Sequence, residues 1–429
     1  MLTLTYAYKI EPKTQQVIAI EHYLNVCRKV WNYALRERKD WLNSRKSDVN
    51  ACSLVSEYII PVDEPYPNYV KQAKSLTEVR KNNPELKSVN AQVLQQVLRK
   101  LETAFLDMSR KGMGFPRFKK HGRMRSFVFP QFKRHPLKGE LIKLPELGWV
   151  KMRLSRPIPG GFKLKQVRIV KKASGYFAML SLQCDVQVPD VMPDFVSLRY
   201  HGHPVGIDLG LEKFLATSDG ELIARPRFFN SLHRKLKLLQ RRLKHKKKGS
   251  NNWRQLNLKI ARVNQRIHDT RKDFHFKLAH HLTQNAGMVF VEDLNFKAWA
   301  KGMLSKHTLD AGFGQFITIL QWVCWKQQVY FAKVDADYTS QQCPRCGTHT
   351  GKKDLRERIH HCPECEYTTD RDVAAAQIVM IRGVGAAGQA VPEIAWGDVL
   401  PGVIDLGKCP RARKPRKQFL GIPTLNEVG

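Results

Sequence analysis

Four cysteines, Cys343, Cys346, Cys362 and Cys365, form two Cys-x-x-Cys pairs in "CPRCGTHTGKKDLRERIHHCPECEYTTDRDVAAAQIV", and Asp370 and Asp372 follow almost at once. Two intervening residues let both sulfurs of a pair turn back onto one ion. The fifteen-residue separation of the pairs falls within the range of a four-cysteine zinc ribbon. Pro344 and Pro363 stiffen the two knuckles, and "KKDLRERIHH" can supply the turn between them. Four thiolates close the coordination sphere, so the expectation is one structural Zn2+ with no open position for catalysis. The remaining cysteines, Cys27, Cys52, Cys184, Cys324 and Cys409, show no such pairing.

Chemistry must then come from carboxylates. Two-metal phosphoryl transfer needs several of them, brought from different elements onto hard divalent ions such as Mg2+. Asp208 ends the apolar run "PVGID" between Gly206 and Gly210, whose small size allows a phosphate backbone close approach. Glu292 follows the apolar run "MVFV", and Asp372 falls in the first turn of a helix capped by Thr369 or Asp370. Each has an ordinary structural explanation too. Asp208 could open a turn, Asp293 beside Glu292 could cap a helix, and Asp370 and Asp372 could favour a helix's positive end. Charges that end core strands are costly unless they have partners or metals, and three such cases in one region favour a shared site. Spacing alone does not show that they converge.

The elements that would position these residues are legible in outline. "LTLTYAYKI" alternates as a strand, and "TQQVIAIEHYLNVCRKVWNYALRERKDWLNSRK" and "NAQVLQQVLRKLETAFLDMSRKG" carry apolar residues at helical spacing, the second stopping near Gly112 and Gly114. From "FPRFKKHGRMRSF" to Cys184 the chain is β-rich, with a hairpin at Ala-Ser-Gly in "KQVRIVKKASGYFAMLSLQC". "DVQVPDVMPDFVSLRYHGHP" reads as a linker. Beyond it come two strands with an Asp219-Gly220 turn, two long basic helices (roughly 229–248 and 253–285), the buried strand of "MVFVEDLNF", the helix "GQFITILQWVCWKQQ" and the strand "VYFAKVDA". That order suits a mixed α/β core. The tail after "AAAQIVMIRG" has no periodicity and is expected to be mobile.

The chain has 429 residues, 73 Lys plus Arg against 38 Asp plus Glu, and a formal charge of +35. Such a charge attracts polyanions, so nucleic acid is the expected partner. No apolar run reaches the roughly 18 residues of a spanning helix, and "MLTLTYAYKIEPKTQQ" lacks the order of a secretory signal. A cytoplasmic protein with reduced thiols is expected. Residues 233–274 hold only Asp269 and Asp273 among a crowd of Lys and Arg, where a solvated face would mix signs. Leu232, Leu236, Leu239 and Leu243 make an ordinary packing stripe. In "FPRFKKHGRMRSF", Phe115, Phe118 and Phe127 suit either stacking on bases or a β core. Trp253, His280 and His281 are read as structural.

In this order "GIDLG", "VEDL", the cysteine pairs and "DRDVAAA" resemble TnpB, the transposon-associated family related to type V CRISPR effector nucleases. "VCRKVWNYALRERKDWL", "GFPRFKKHG", "KKKGSNNW" and "YTSQQCPRCG" extend the resemblance over most of the chain. It implies a multidomain α+β protein. A RuvC-like RNase H fold with an inserted ribbon would follow an oligonucleotide-binding β-barrel (the wedge) interrupted by a helical recognition domain. The boundaries would be 1–12 and 115–190 for the wedge, 13–114 for recognition and 191–203 for the linker. The nuclease would span 204–342 and 366–388, the ribbon 343–365, and the tail 389–429.

The resemblance further implies a guide RNA from the transposon end and a double-stranded DNA target beside a short adjacent motif. One protein per RNA would cleave by two Mg2+ ions, with the RNA reading sequence and the protein gripping backbone and shape. Asp208, Glu292 and Asp372 would be the catalytic and magnesium-binding residues. The family pattern after the ribbon reads Asp-x-Asn-Ala-Ala, so Ala374 stands where Asn is usual, and Glu366 stands where Gly is common in the second knuckle. A guided binder without cleavage would have lost a carboxylate, and none is missing. A zinc-stabilised transposition accessory protein would bind nucleic acid without metal-dependent cutting. A strand-joining transposase shares the three acids, but the ribbon directly before the third argues against it.

Overall fold

The computed structural model describes residues 2–46, 60–61, 63–132, 134–158, 160–184, 203–354, 356–387 and 403–404. The chain divides into two compact units, Met1–Val188 and Pro189–Gly429.

In the first unit, strand β1 (Leu2–Glu11) leads into helix α1 (Thr14–Ser44), followed by α2 (Tyr69–Asn82), the single turn α3 (Pro84–Lys87) and α4 (Ala91–Lys111). Six strands complete it: β2 (Ser126–Phe129), β3 (Leu137–Lys138), β4 (Leu141–Leu144), β5 (Gly148–Arg153), β6 (Lys163–Lys172) and β7 (Gly175–Cys184). All pairings are antiparallel, in the order β2-β6-β7-β1-β5-β4-β3. Among the described residues no pairing joins β2 to β3, so the sheet is not closed by hydrogen bonds. Tyr6, Tyr8 and Ile10 alternate inward along β1, and Val93, Leu94, Val97, Leu98, Leu101 and Phe105 form the buried stripe of α4 in the same core. Asn90 caps α4, and Gly112, at φ +61°, ends it. Arg38 is fully buried within the helices, where it donates to Gln72 and pairs with Glu102.

The second unit holds β8 (His203–Leu209), β9 (Lys213–Thr217), β10 (Leu222–Ala224), α5 (Phe228–Lys244), α6 (Asn251–Thr283) and β11 (Ala286–Glu292). These are followed by α7 (Phe296–Trp299), α8 (Ser305–Ala311), α9 (Phe313–Lys326), β12 (Tyr330–Val334), the hairpin β13 (Ile359–His361) and β14 (Thr368–Asp370), α10 (Arg371–Ala386) and β15 (Val403–Ile404). The six-stranded sheet runs β12-β11-β8-β9-β10-β15. β8, β11 and β12 are parallel, whereas β9 returns antiparallel to β8. The expected pair of strands before the basic helices is thus three. Of the linker expected at 191–203 only His203 is described, and of the tail only Val403–Ile404, which pairs with β10; the rest lies outside the described residues.

Alternation divides the central strands between two cores. Val205, Ile207 and Leu209 of β8, with Val289 and Val291 of β11, pack with residues of α5, α6 and α9. Met288 and Phe290 point the other way, onto Val379, Met380 and Val384 of α10. Gly206 faces that second side. A Cβ there would lie 2.6 Å from the Met380 backbone nitrogen and would overlap the Ala376 carbonyl oxygen. On α10 itself, a Cβ at Gly383 would stand 2.7 Å from Cε1 of Phe290. Glycine at these two positions is what lets the helix lie directly on the strands.

Candidate functional site

Side chains two apart on a strand share a face, so Asp208 lies on the α10 side with Gly206, and Glu292 lies there with Phe290. β8 and β11 are in parallel register, with Ile207 opposite Val291, which puts Asp208 and Glu292 one residue beyond that pair at the same strand ends. Asp372 is in the first turn of α10, one turn before Ala376, whose carbonyl lies over Gly206. The helix that crosses Gly206 therefore carries Asp372 toward Asp208. The electrostatics agree with this convergence. Burial pushes the Asp208 carboxyl well above the usual range, the negative charges of Glu292 and Asp372 push it further, and Arg371 opposes them. Burial also raises Glu292, opposed by a hydrogen bond from Thr339 and the charge of Arg382. Asp372 is raised by burial and by Asp370, against Lys213, Arg358 and Arg371.

Partners that the sequence reading did not single out surround these acids. The Thr339 hydroxyl donates to Glu292 Oε1 at 2.6 Å. Arg382 of α10 donates to the carbonyls of Asp335 and Asp337, pinning the segment that carries Thr339. Asp370 is the α10 cap, accepting from the Asp372 amide at 2.9 Å, while its second oxygen pairs with Lys213 at 2.5 Å. Thr339 lies in the quoted "YTSQQCPRCG", but nothing in a sequence couples it to a glutamate 47 residues earlier. Asp293 caps no helix: it pairs with Lys333, and Asn295 caps α7. Ala374 is buried, 2% exposed, and about 200° around the helix from Asp372, so this position is off the carboxylate face.

The four cysteines form the tightest candidate metal centre. Their sulfurs all lie within 4.8 Å of one another, the one such group among the described residues. Cys343–Cys365 and Cys346–Cys362 are 3.6 and 3.5 Å apart. A tetrahedral zinc with bonds near 2.3 Å spaces sulfurs by roughly 3.8 Å, so the donor set and geometry fit zinc. Burial pushes the Cys343 thiol up to about 12, whereas the Thr348 hydroxyl draws Cys346 down to about 6. The knuckles match in backbone: Gly347 accepts a left-handed φ of +78°, and Glu366 takes the equivalent place at +56°. From Cys362 the hairpin β13–β14 runs straight into α10, its last pair being Ile359 with Asp370.

Basic residues form a second kind of feature. Arg234, Lys235, Lys237, Arg241, Arg242 and Lys244 on α5 are exposed and have no ionic partner among the described residues, while Leu236 and Leu239 are core. In the first unit the aromatic-basic segment splits. Phe115 and Phe118 are 41% and 46% exposed, but Phe127 is core. Nearby, Trp31, Lys100 and Arg168 line a cavity of about 400 Å³, and Lys119 sits over the Trp31 ring. Burial depresses Lys100, and the positive charges of Lys119 and Arg168 depress it further. Such a group suits an anionic partner.

A four-thiol module that fits a zinc ribbon is threaded between β12 and α10 of a mixed α/β unit, with acids at adjoining strand ends. Residues 183–302 match the family described as "Probable transposase", residues 313–379 the "Cas12f1-like, TNB domain" and residues 1–47 a "Helix-turn-helix domain", although residues 2–46 hold one strand and a single helix. The "Putative RNA-guided DNA endonuclease InsQ" of Escherichia coli (strain K12) is 30% identical over 415 residues, covering 92% of this chain and 94% of that protein. A Streptomyces pristinaespiralis protein named "Putative RNA-guided DNA endonuclease" is 27% identical over 98% of both chains. The chain belongs to the TnpB (OrfB) family. A solved Cas12f1–sgRNA–target DNA complex aligns over 89% of this chain and 99% of that one at 16% identity, with a TM-score of 0.32, too low to carry an argument.

Proposed function

We propose that the protein is an RNA-guided DNA endonuclease with a RuvC-like site, in which Asp208, Glu292 and Asp372 hold two Mg2+ ions. The names of its relatives support the guided reading. The observation that carries the nuclease reading is the position of Asp208 and Glu292 at matching ends of adjacent parallel strands, with the Asp372 turn of α10 held against them through Gly206. Carboxylates whose negative charges push the Asp208 carboxyl up form a hard-oxygen donor set that fits divalent ions. Bound there, the ions would supply an activated water and charge on the attacking and leaving oxygens. The chain's own part is to fix the carboxylates and exclude bulk water behind the strand ends. The unpartnered cations of α5 and of the Lys100, Lys119 and Arg168 group would hold the RNA and DNA backbones. The first unit would be the wedge and recognition domains, and the guide RNA would come from the transposon end.

The test is cleavage by protein co-purified with RNA from its own locus, on a plasmid library with a randomised motif beside a guide-matched target. Motif-dependent cutting lost in EDTA and in Asp208→Ala supports the reading. Guided binding without cutting would leave the binder, and no guided binding would reject both.

A further inference from the structure

The four-cysteine module touches the carboxylates at both of its ends. On the entry side, Thr339 lies four residues before Cys343 in a 3-10 turn, Thr339–Gln341. That turn is tied to the first knuckle: Thr350 donates to the Gln341 carbonyl at 2.7 Å, and the Cys343 amide donates to Thr348 at 2.8 Å. Thr339 is buried. Its hydroxyl has one proton to give, and Glu292 Oε1 at 2.6 Å is a closer acceptor than the Ala336 carbonyl at 3.3 Å. One oxygen of Glu292 is thereby held, and the other has no hydrogen-bond partner among the described residues.

On the exit side, Asp370 has three duties. It ends the ribbon hairpin opposite Ile359, caps α10 through the Asp372 amide, and pairs with Lys213. Lys213 begins β9, the strand whose Ala216 lies opposite Asp208. The pair is mostly shielded, with Lys213 and Asp370 side chains 21% and 15% exposed. The neighbouring Glu212 pairs with Arg358 beside β13, a second tie between the same hairpins. The turn bearing Asp372 is thus fastened to the strand pair bearing Asp208.

We infer that Thr339 and the Lys213–Asp370 pair are positioning residues through which the zinc module sets Glu292 and Asp372 for metal binding. The inference rests on the nuclease reading given above. Neither contact touches the reacting atoms; each fixes the direction of a group that would. Outer partners of metal-binding carboxylates typically alter metal affinity or activity by about 10–100-fold.

The experiment uses the protein–RNA complex with Thr339→Val, Thr339→Ser, Lys213→Met and Asp208→Ala. Four quantities are read: cleavage rate, Mn2+ affinity by calorimetry on target-bound complex without Mg2+, zinc content and melting temperature. Thr339→Val and Lys213→Met are each expected to weaken Mn2+ binding and slow cleavage by about tenfold or more. Thr339→Ser, which keeps the hydroxyl, should restore both to within a few-fold. Zinc content and melting temperature should stay at the parent values. Parent-like Mn2+ binding and cleavage in Thr339→Val and Lys213→Met, with Asp208→Ala inactive, would overturn the inference alone. Loss of zinc or early melting in either variant would overturn its half by showing a structural role. An active Asp208→Ala would overturn the site reading itself.

Discussion

Gly206 of β8 and Met380 of α10 approach so closely that a Cβ on the glycine would lie 2.6 Å from the Met380 backbone nitrogen. The neighbouring obstacle is also backbone, the Ala376 carbonyl, so no side chain can turn aside to make room. This contact sets the height of the helix above the sheet, and with it the place of Asp372 relative to Asp208.

Gly206→Ala is therefore expected to displace α10 and destabilise the second unit by about 3 kcal/mol, the upper part of the overpacking range. Gly383→Ala meets a ring instead, that of Phe290, and smaller side chains there should give relief. In a double-mutant cycle, Phe290→Leu should recover part of the Gly383→Ala loss and none of the Gly206→Ala loss. Denaturant melts of the parent, the three single variants and the two double variants measure this; equal rescue of both would refute the assignment of each clash to its own neighbour.

Removing the metal should injure the carboxylate site although no cysteine belongs to it. Chelation, or Cys362→Ser, should release β13–β14, the α10 cap and the Thr339 turn together, since folding and metal binding are coupled in such modules. Zinc analysis with hydrogen exchange would show protection falling across residues 339–376. Protection lost only between the cysteines would contradict it.

Glu366 holds a left-handed φ of +56°, where its counterpart in the first knuckle is Gly347. A side chain there costs about 1–2 kcal/mol, and glycine returns part of that gain through its freer unfolded chain. Glu366→Gly should stabilise the module by about 0.5–1 kcal/mol, read as a higher chelator concentration needed to strip the zinc. A lower requirement would mean that Glu366 makes a contact worth more than its strain.

His275 is fully buried among Phe214, Phe228, Phe274 and Phe316, donating from Nε2 to the Ala311 carbonyl at 3.0 Å. Burial lowers it to about 4, opposed by the Ala311 bond and assisted by Arg271 and His268. The unfolded chain takes up the proton near pH 6.5 and the folded one only near 4. The stability owed to neutral His275 is thus complete above pH 6.5 and lost as pH falls from there to about 4, by up to about 3 kcal/mol. Melts of the parent and His275→Phe across that window should converge toward low pH. A parallel pair of curves would sink the assignment.

Much of this protein is written locally. The four thiols at Cys-x-x-Cys spacing needed only two short knuckles to find one another, and their sulfurs do meet. Apolar period settled α1 and α4, the Thr369/Asp370 cap marked the start of α10, and the apolar runs before Asp208 and Glu292 marked two core strands with charges at their ends. The stop at Gly112 and the hairpin at Gly175 were readable because each is a backbone event within a few residues.

The relations across the sheet were not readable. The parallel register of Ile207 with Val291 depends on α5 and α6 packing between the two strands in sequence, which residue types at each end do not encode. Thr339 and Lys213 look like ordinary polar residues until folding brings them to Glu292 and Asp370, 47 and 157 residues away. Phe115 and Phe118 fall in the irregular segment between α4 and β2 and are exposed, whereas Phe127 falls on the inward face of β2 and is buried. Hydrophobic spacing and metal-ligand chemistry act over a few residues and determined the parts. Close packing of α10 on Gly206 and Phe290 acts between distant segments, and only the tertiary structure decided where the carboxylates stand.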